Sequence, residues 1–253
     1  MLSVRVIPSL LLKGQGFVKG KKFRDHKYIG DPINSIRIFN EKQADEILIL
    51  DISCTLNGTA PNFELLSELS SQAFMPLSYG GGITSLEQVE KLFKIGFEKV
   101  VLNSIVFQNP NFISEAVSIA GSSSVVVSMD VKKNFFGKYD IFSHSGSKKQ
   151  AIDPLEFAKK VEQLGAGELI VCNIDREGTR FGYDVTFLHK IVTQVSVPVI
   201  ASGGAGSLND FQIAVKNARV AAVSAGAFFV FHGKHDAVLI QYPEYKSINK
   251  LFL

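Results

Sequence analysis

The chain has 253 residues, 46% of them hydrophobic, and its 27 Lys and Arg against 24 Asp and Glu leave a net charge of +3. That is a globular composition with ample apolar material for a core, and its densest basic cluster, Lys19-Gly20-Lys21-Lys22, is no nucleic-acid footprint. No apolar run reaches the roughly 18 residues of a membrane span, the start lacks the regions of a signal peptide, and two cysteines, Cys54 and Cys172, are too few for a disulfide framework or a zinc site. A cytoplasmic protein without metal or cofactor is expected.

In chain order, short apolar strands are predicted at residues 4–12, 46–52, 75–79, 99–102, 124–131, 168–174, 197–202 and 220–224. Several are apolar on both faces, as a buried parallel sheet requires. Helical periodicity lies between them at 32–43, 85–95, 111–120, 153–164, 184–193 and 207–217. These lengths suit crossovers between parallel strands. Asp153 and Ser207 stand where N-caps belong, and Gly96 and Gly165 where helices end. Long loops at 13–30 and 132–149 carry the alternation of hairpins and follow the first and fifth strands. The tail at 232–253 holds a weak helical pattern interrupted at Pro243.

Eight β-then-α units predict an α/β chain folded as a (β/α)8 TIM barrel, one domain over 1–253. A doubly wound open sheet is the alternative. An internal repeat favours the barrel. Pro198-Val-Ile-Ala-Ser-Gly-Gly-Ala-Gly206 repeats the pattern that begins at Pro76, 122 residues earlier, with Gly81 matching Gly203 and Gly82 matching Gly204. At the same offset, 44–49 overlies 166–171. The chain therefore reads as two half-barrels. A strand that runs through glycines into a helix N-terminus also suits an anion such as phosphate.

Three carboxylates, Asp51, Asp130 and Asp175, end or follow strands on the side where barrel enzymes build active sites. Asp130 closes a buried apolar run, where an unpaired acid is costly unless it has a task. Aligning Lys132 with Lys13 puts Leu11 at the position that matches Asp130. Chemistry that both takes and gives a proton usually wants two groups, and leucine transfers none. At the opposite strand ends, Arg5, Glu46, Lys99 and Glu168 each begin an apolar run. They are either surface charges, a stabilising plug, or a neutral ring that gates a narrow opening.

The segments Arg5–Leu10, Val18-Lys19-Gly20, Leu50-Asp51-Ile52, Gly80-Gly81-Gly82-Ile83, Lys99–Ser104, Gly165-Ala166-Gly167-Glu168, Asp175–Thr179 and Ala201–Gly206 resemble the cyclase subunit of imidazole glycerol phosphate synthase over nearly the whole chain. The resemblance implies a glutaminase partner on the N-terminal barrel face and ammonia passing through the barrel to a bisphosphate substrate. It implies an ammonia gate at Arg5, Glu46, Lys99 and Glu168, a lid lysine at Lys19 and a general acid at Asp130. It implies one phosphate site at Gly82, Asn103 and Ser104, and a second at Gly178, Gly204, Ala225 and Gly226. Departures are Leu11 for the general base, Gly226 for a serine, Glu177 for a shorter acid and Ser9 for a cysteine. This combination resembles cyclase-like proteins that accompany sugar amidation in O-antigen and other surface polysaccharide synthesis. The expected role is to dock and activate a glutaminase and to deliver ammonia to a separate sugar-amidating enzyme. A true histidine-pathway cyclase and a non-conducting scaffold are the alternatives.

Overall fold

A computed structural model describes residues 4–233 and 235–252. The first strand, β1 (Arg5–Lys13), runs on into an antiparallel pair, β2 (Gly16–Lys21) and β3 (Arg24–Gly30). After helix α1 (Pro32–Glu41) come β4 (Ile47–Asp51), the short α2 (Cys54–Asn57), α3 (Phe63–Gln72) and β5 (Leu77–Gly80). Then follow α4 (Leu86–Lys94), β6 (Lys99–Leu102), α5 (Ser104–Gln108) and α6 (Phe112–Ala120). The second half opens with β7 (Val125–Lys133), which also continues into an antiparallel pair, β8 (Tyr139–Ser143) and β9 (Lys148–Gln150). It proceeds through α7 (Pro154–Gln163), β10 (Glu168–Asn173), α8 (Val185–Val192), β11 (Val199–Ser202), α9 (Leu208–Ile213) and β12 (Ala222–Ala225).

The strands β1, β4, β5, β6, β7, β10, β11 and β12 pair in parallel in that order, and β12 pairs back onto β1. The sheet is thus a closed eight-stranded barrel with helices between strands, the (β/α)8 architecture. The two hairpin extensions are the expected hairpins at 13–30 and 132–149. Both rise from the C-terminal rim.

Register makes the duplication concrete. Leu11 lies opposite Leu50, and Asp130 lies opposite Cys172. Leu50 and Cys172 are 122 residues apart, the offset of the sequence repeat. Leu11 therefore occupies in the first half the place that Asp130 holds in the second.

Alternation along each strand sorts the core. Val6, Ile47, Ile49, Leu169 and Val171 face the helices in one large apolar cluster, while Ile7, Leu48, Val101, Val126, Ile170, Ile200 and Ala222 fill the barrel interior. The expected caps form. Asp153 accepts from the Leu155 and Glu156 amides, and Ser207 forms a reciprocal capping box with Asp210. The expected helix at 207–217 keeps its α form only to Ile213, then widens into a π turn that Arg219 ends in the left-handed region. The helix α3 has no counterpart in the sequence reading, because FELLSELSSQ buries only Leu66 and Leu69 and its apolar stripe is thin. The tail forms a small pair, β13 (Phe231–His232) with β14 (Ala237–Val238), and after Pro243 a helix, α10 (Tyr245–Phe252). Tyr242 anchors it, donating its hydroxyl to the Val6 carbonyl at 2.9 Å.

The paired glycine turns are forced by space as well as by φ. At Gly81, φ is 121° and a Cβ would collide with the Asp51 carbonyl; at Gly203 it would press on the Asn173 carbonyl at 2.7 Å. At Gly58, φ is 65° and a Cβ would meet nothing within 4 Å. Gly58→Ala should therefore cost only the backbone term of about 1–2 kcal/mol. Gly81→Ala, which adds a backbone clash, should cost about 3 kcal/mol or more. Urea unfolding of the two variants measures the difference, and equal costs would contradict the steric argument.

Candidate functional site

Inward-facing residues at alternate strand positions form three layers through the barrel. At the N-terminal end, Arg5, Glu46, Lys99 and Glu168 meet. The Arg5 guanidinium bonds Glu46 Oε2 and Glu168 Oε1, each at 2.5 Å, and Lys99 Nζ reaches both carboxylates at 3.2 Å. The four charges close an alternating ring across strands distant in sequence. Ser78 Oγ donates to Glu46 Oε1 at 2.6 Å and fixes that carboxylate from the neighbouring strand. Burial lowers the Arg5 pKa, but Glu168 and Glu46 outweigh it and raise the value, so its charge is secure. Sequence reading overlooked Ser78, although its inward parity in β5 is the signal that finds it.

Above the ring lies the apolar layer of Ile7, Leu48, Val101, Val126 and Ile170. A cavity of about 10 Å³ sits between ring and layer, lined by Ile7, Glu46, Ser78, Val126 and Glu168 among others. That is about the space of one water-sized molecule. Leu48, Val101 and Ile170 line this void and also the floor of a much larger pocket.

The larger pocket, about 440 Å³, opens at the C-terminal mouth under the two hairpins. Asp130 stands in it. Its Oδ2 accepts from Asn103 Nδ2 at 3.1 Å and its Oδ1 from Ser128 Oγ at 3.3 Å. Burial raises its pKa to about 7 in spite of these two bonds, which favour the charged form. Both protonation states are then populated near neutrality, as proton transfer requires. Leu11, Leu50, Cys172 and Ser202 line the same pocket. Burial pushes the Cys172 thiol up to about 12, so it is a packed thiol and not a nucleophile.

The residues expected to bind phosphate divide. Asn103 and Ser104 line the pocket, and Ser104 Oγ receives the His144 amide of the second hairpin at 3.1 Å. Asn103 turns its amide toward Asp130 and the Ser128 carbonyl. The Gly82 amide donates to Thr55 Oγ1 at 3.3 Å. On the other side, a Cβ at Gly178 would strike the Gly20 carbonyl and one at Gly204 the Gly182 carbonyl, so these glycines serve close backbone packing. Ala225 lies buried in β12 beside Pro8.

Lys19, expected as a lid lysine, lies in β2 of the first hairpin. It is 2% exposed, its ammonium pairs with Glu177, and a Cβ at Gly226 would collide with it. Gly226 thus leaves the room that Lys19 fills. Burial lowers the Lys19 pKa to about 8, which still leaves it charged at neutral pH. The other carboxylates flagged by sequence each hold backbone amides, and Asp51 also lines the pocket. Asp51 Oδ1 accepts from the Ser53 and Cys54 amides at 2.8 and 3.1 Å, and Asp175 Oδ2 accepts from the Lys133 amide at 3.0 Å. Among the described residues, no group of three or more His, Cys, Asp and Glu is arranged to hold a metal, and no helix is long and apolar enough to cross a membrane.

The Asp130 shift makes stability depend on pH. Its folded value of about 7 lies above the ordinary carboxyl value near 4, so between those limits the folded state binds more protons than the unfolded chain. The Asp130 contribution to stability is therefore lost as pH rises through that window. Asp130→Asn should raise stability by ~1–2 kcal/mol at pH 8, a value discounted for the open pocket, and by much less at pH 4. Thermal unfolding at the two pH values measures this, and a pH-independent effect would contradict it.

Comparison with known proteins agrees with this architecture along the whole chain. A family profile described as "Histidine biosynthesis protein" matches residues 5–236. A Pseudomonas aeruginosa protein provisionally named imidazole glycerol phosphate synthase subunit hisF2 is 47% identical over 251 residues, 99% of each chain. A Leptospira interrogans protein provisionally named imidazole glycerol phosphate synthase subunit HisF is 44% identical over the full length of both chains. The imidazole glycerol phosphate synthase subunit HisF of Alkaliphilus metalliredigens is 37% identical over 232 residues, 92% of each. This chain belongs to the histidine biosynthesis protein family and, within it, to the barrel subunits typified by the HisF cyclase subunit of imidazole glycerol phosphate synthase.

Proposed function

We propose that this barrel is the ammonia-conducting subunit of a glutamine-dependent amidotransferase. A glutaminase docks on the N-terminal face. Ammonia enters at the Arg5–Glu46–Lys99–Glu168 ring, crosses the apolar layer and leaves at the C-terminal mouth. A separate enzyme takes it up to amidate an activated sugar in surface polysaccharide synthesis, O-antigen being the type case. The observation that carries the reading is a complete charged ring together with a mouth in which Leu11 stands at the position that matches Asp130.

The physics of the path supports conduction of the neutral molecule. An ammonium ion would shed its hydration in the apolar layer at large cost, whereas neutral ammonia sheds far less. The void above the ring has room for one such molecule, and Leu48, Val101 and Ile170 line both it and the pocket at the mouth. Lys99, on a flexible stem, is the member of the ring suited to swing aside.

The second reading is a true cyclase, favoured by one observation, the Asp130 pKa of about 7. Supplying the ribonucleotide with ammonium chloride separates the two. The unmodified chain should give no measurable cyclisation, and Leu11→Asp should restore part of it; normal turnover without the substitution overturns the main reading.

Conduction is separable from scaffolding by narrowing the path. Val101→Leu adds one methylene beside the void, with a packing cost of about 1 kcal/mol. Glutamine-driven sugar amidation should fall several-fold while glutamine hydrolysis and ammonium-driven amidation persist. If product formation from glutamine is unchanged, the barrel is a scaffold that carries no ammonia.

A further inference from the structure

The C-terminal rim carries a feature that neither the pocket nor the ring uses. The turn of the second hairpin, Lys132-Lys133-Asn134-Phe135-Phe136-Gly137-Lys138, raises two adjacent aromatic rings into solvent. Phe135 is 98% exposed and Phe136 84%. Their rings meet edge to face, with centroids 5.7 Å apart. The turn that bears them is built: Asn134 Oδ1 accepts from the Phe136 and Lys138 amides at 3.0 and 3.1 Å, and the Asn134 amide donates to the Lys138 carbonyl at 2.8 Å. A third ring, Phe181, is 85% exposed in the loop that follows β10 on the same rim. Single exposed apolar residues are common, but adjacent phenylalanines held at the tip of an ordered turn are the form of an interface anchor.

Charge indicates what such an anchor meets. The two hairpin segments, 13–30 and 132–149, hold eleven Lys and Arg against two Asp, in a chain whose net charge is only +3. The two hairpins on the rim are strongly positive and the rest of the sequence is net negative. Some of these cations are engaged within the chain: Lys19 pairs with Glu177, Lys21 with Asp236, and Lys149 with Asp140. Lys132 and Lys138 are solvent-exposed beside the aromatic tip, and Lys148 is exposed farther along the same hairpin segment. A rim of this kind is complementary to an acidic protein surface, and it surrounds the outlet of the pocket.

We propose that the C-terminal rim is the docking surface for the ammonia-accepting enzyme, an acidic partner into which Phe135 and Phe136 insert while the surrounding lysines steer the encounter. The inference rests on the ammonia-conducting reading and names the surface that reading requires at its outlet. Docking there would close the mouth against bulk water.

The test uses the intact barrel with its glutaminase and the sugar-amidating enzyme. In Phe135→Ser/Phe136→Ser, glutamine-driven amidation should fall about tenfold or more, since the loss of two buried aromatic anchors weakens binding by at least that factor. Ammonium-driven amidation, glutaminase stimulation and the thermal midpoint should be unchanged, because both side chains are outside the core. Lys138→Glu should weaken binding mainly at low salt. Full glutamine-driven transfer by the double variant overturns the docking surface and leaves the conduction reading intact. Absence of glutamine-driven transfer with the unmodified barrel overturns conduction and the docking surface with it. Binding of the unmodified barrel to phosphatidylethanolamine–phosphatidylglycerol vesicles that the double variant loses, with transfer unaffected, assigns the tip to a lipid surface instead.

Discussion

The constraint that orders this molecule is the two-residue period of eight parallel strands closed on themselves. Every second side chain must point into a space that is small, shared by all strands and inaccessible to rearrangement. The sequence Arg5-Val6-Ile7-Pro8-Ser9-Leu10-Leu11 therefore contributes to every level: Arg5 to the charged ring, Ile7 to the apolar floor, Ser9 and Leu11 to the mouth. The strand β10 repeats the arrangement with Glu168, Ile170 and Cys172. A shift of one residue in β1, β4, β6 or β10 would send a charge toward the helices and an aliphatic side chain into the ring. Register, core and site are thus a single specification.

Within that specification the two halves have diverged where chemistry would be placed. Asp130 keeps a buried carboxylate with two hydrogen-bond donors; its counterpart is a leucine. A buried carboxylate near neutral pKa can give or take one proton, but a reaction needing an acid and a base at these two matching positions has no second partner from this pair. A second divergence is steric. Gly226 leaves space that the Lys19 side chain enters, and Glu177 supplies the countercharge. A buried ammonium with its carboxylate is cheap only while both are present, so the first hairpin is tied to the barrel through this pair as well as through the Lys22 amide bond to the Glu177 carbonyl at 2.8 Å.

Much of this was legible in the residues. Short doubly apolar strands, helical runs between them and a 122-residue repeat were enough to predict the barrel, because those patterns are local or compare one segment with another. The ring was visible as four charges that begin apolar runs, and the structure supplies their mutual contact. What sequence could not express was proximity between loops. Nothing in Gly226 itself announces that Lys19, over 200 residues earlier, fills its empty space. Nor does Asn103 reveal that its amide turns to Asp130, since this depends on the angle between β6 and β7. The helix α3 was missed because its buried stripe is two leucines wide, and the end of α9 because a π turn has no composition of its own.

The ring itself is hard to explain by stability. Four ionisable groups gathered inside a barrel lose hydration, and replacing such a cluster with packed aliphatic residues is commonly neutral or favourable. The floor immediately above shows that this barrel can pack aliphatic side chains at that radius: Ile7, Leu48, Val101, Val126 and Ile170 do so one level higher. A plug would continue that packing downward. A ring of two cations and two carboxylates leaves instead a neutral, hydrogen-bonding annulus with a molecule-sized void behind it. Its bonds can exchange with a small polar guest, whereas an aliphatic plug offers no such exchange. On the proposed reading, the stability lost in the ring is exchanged for a passage.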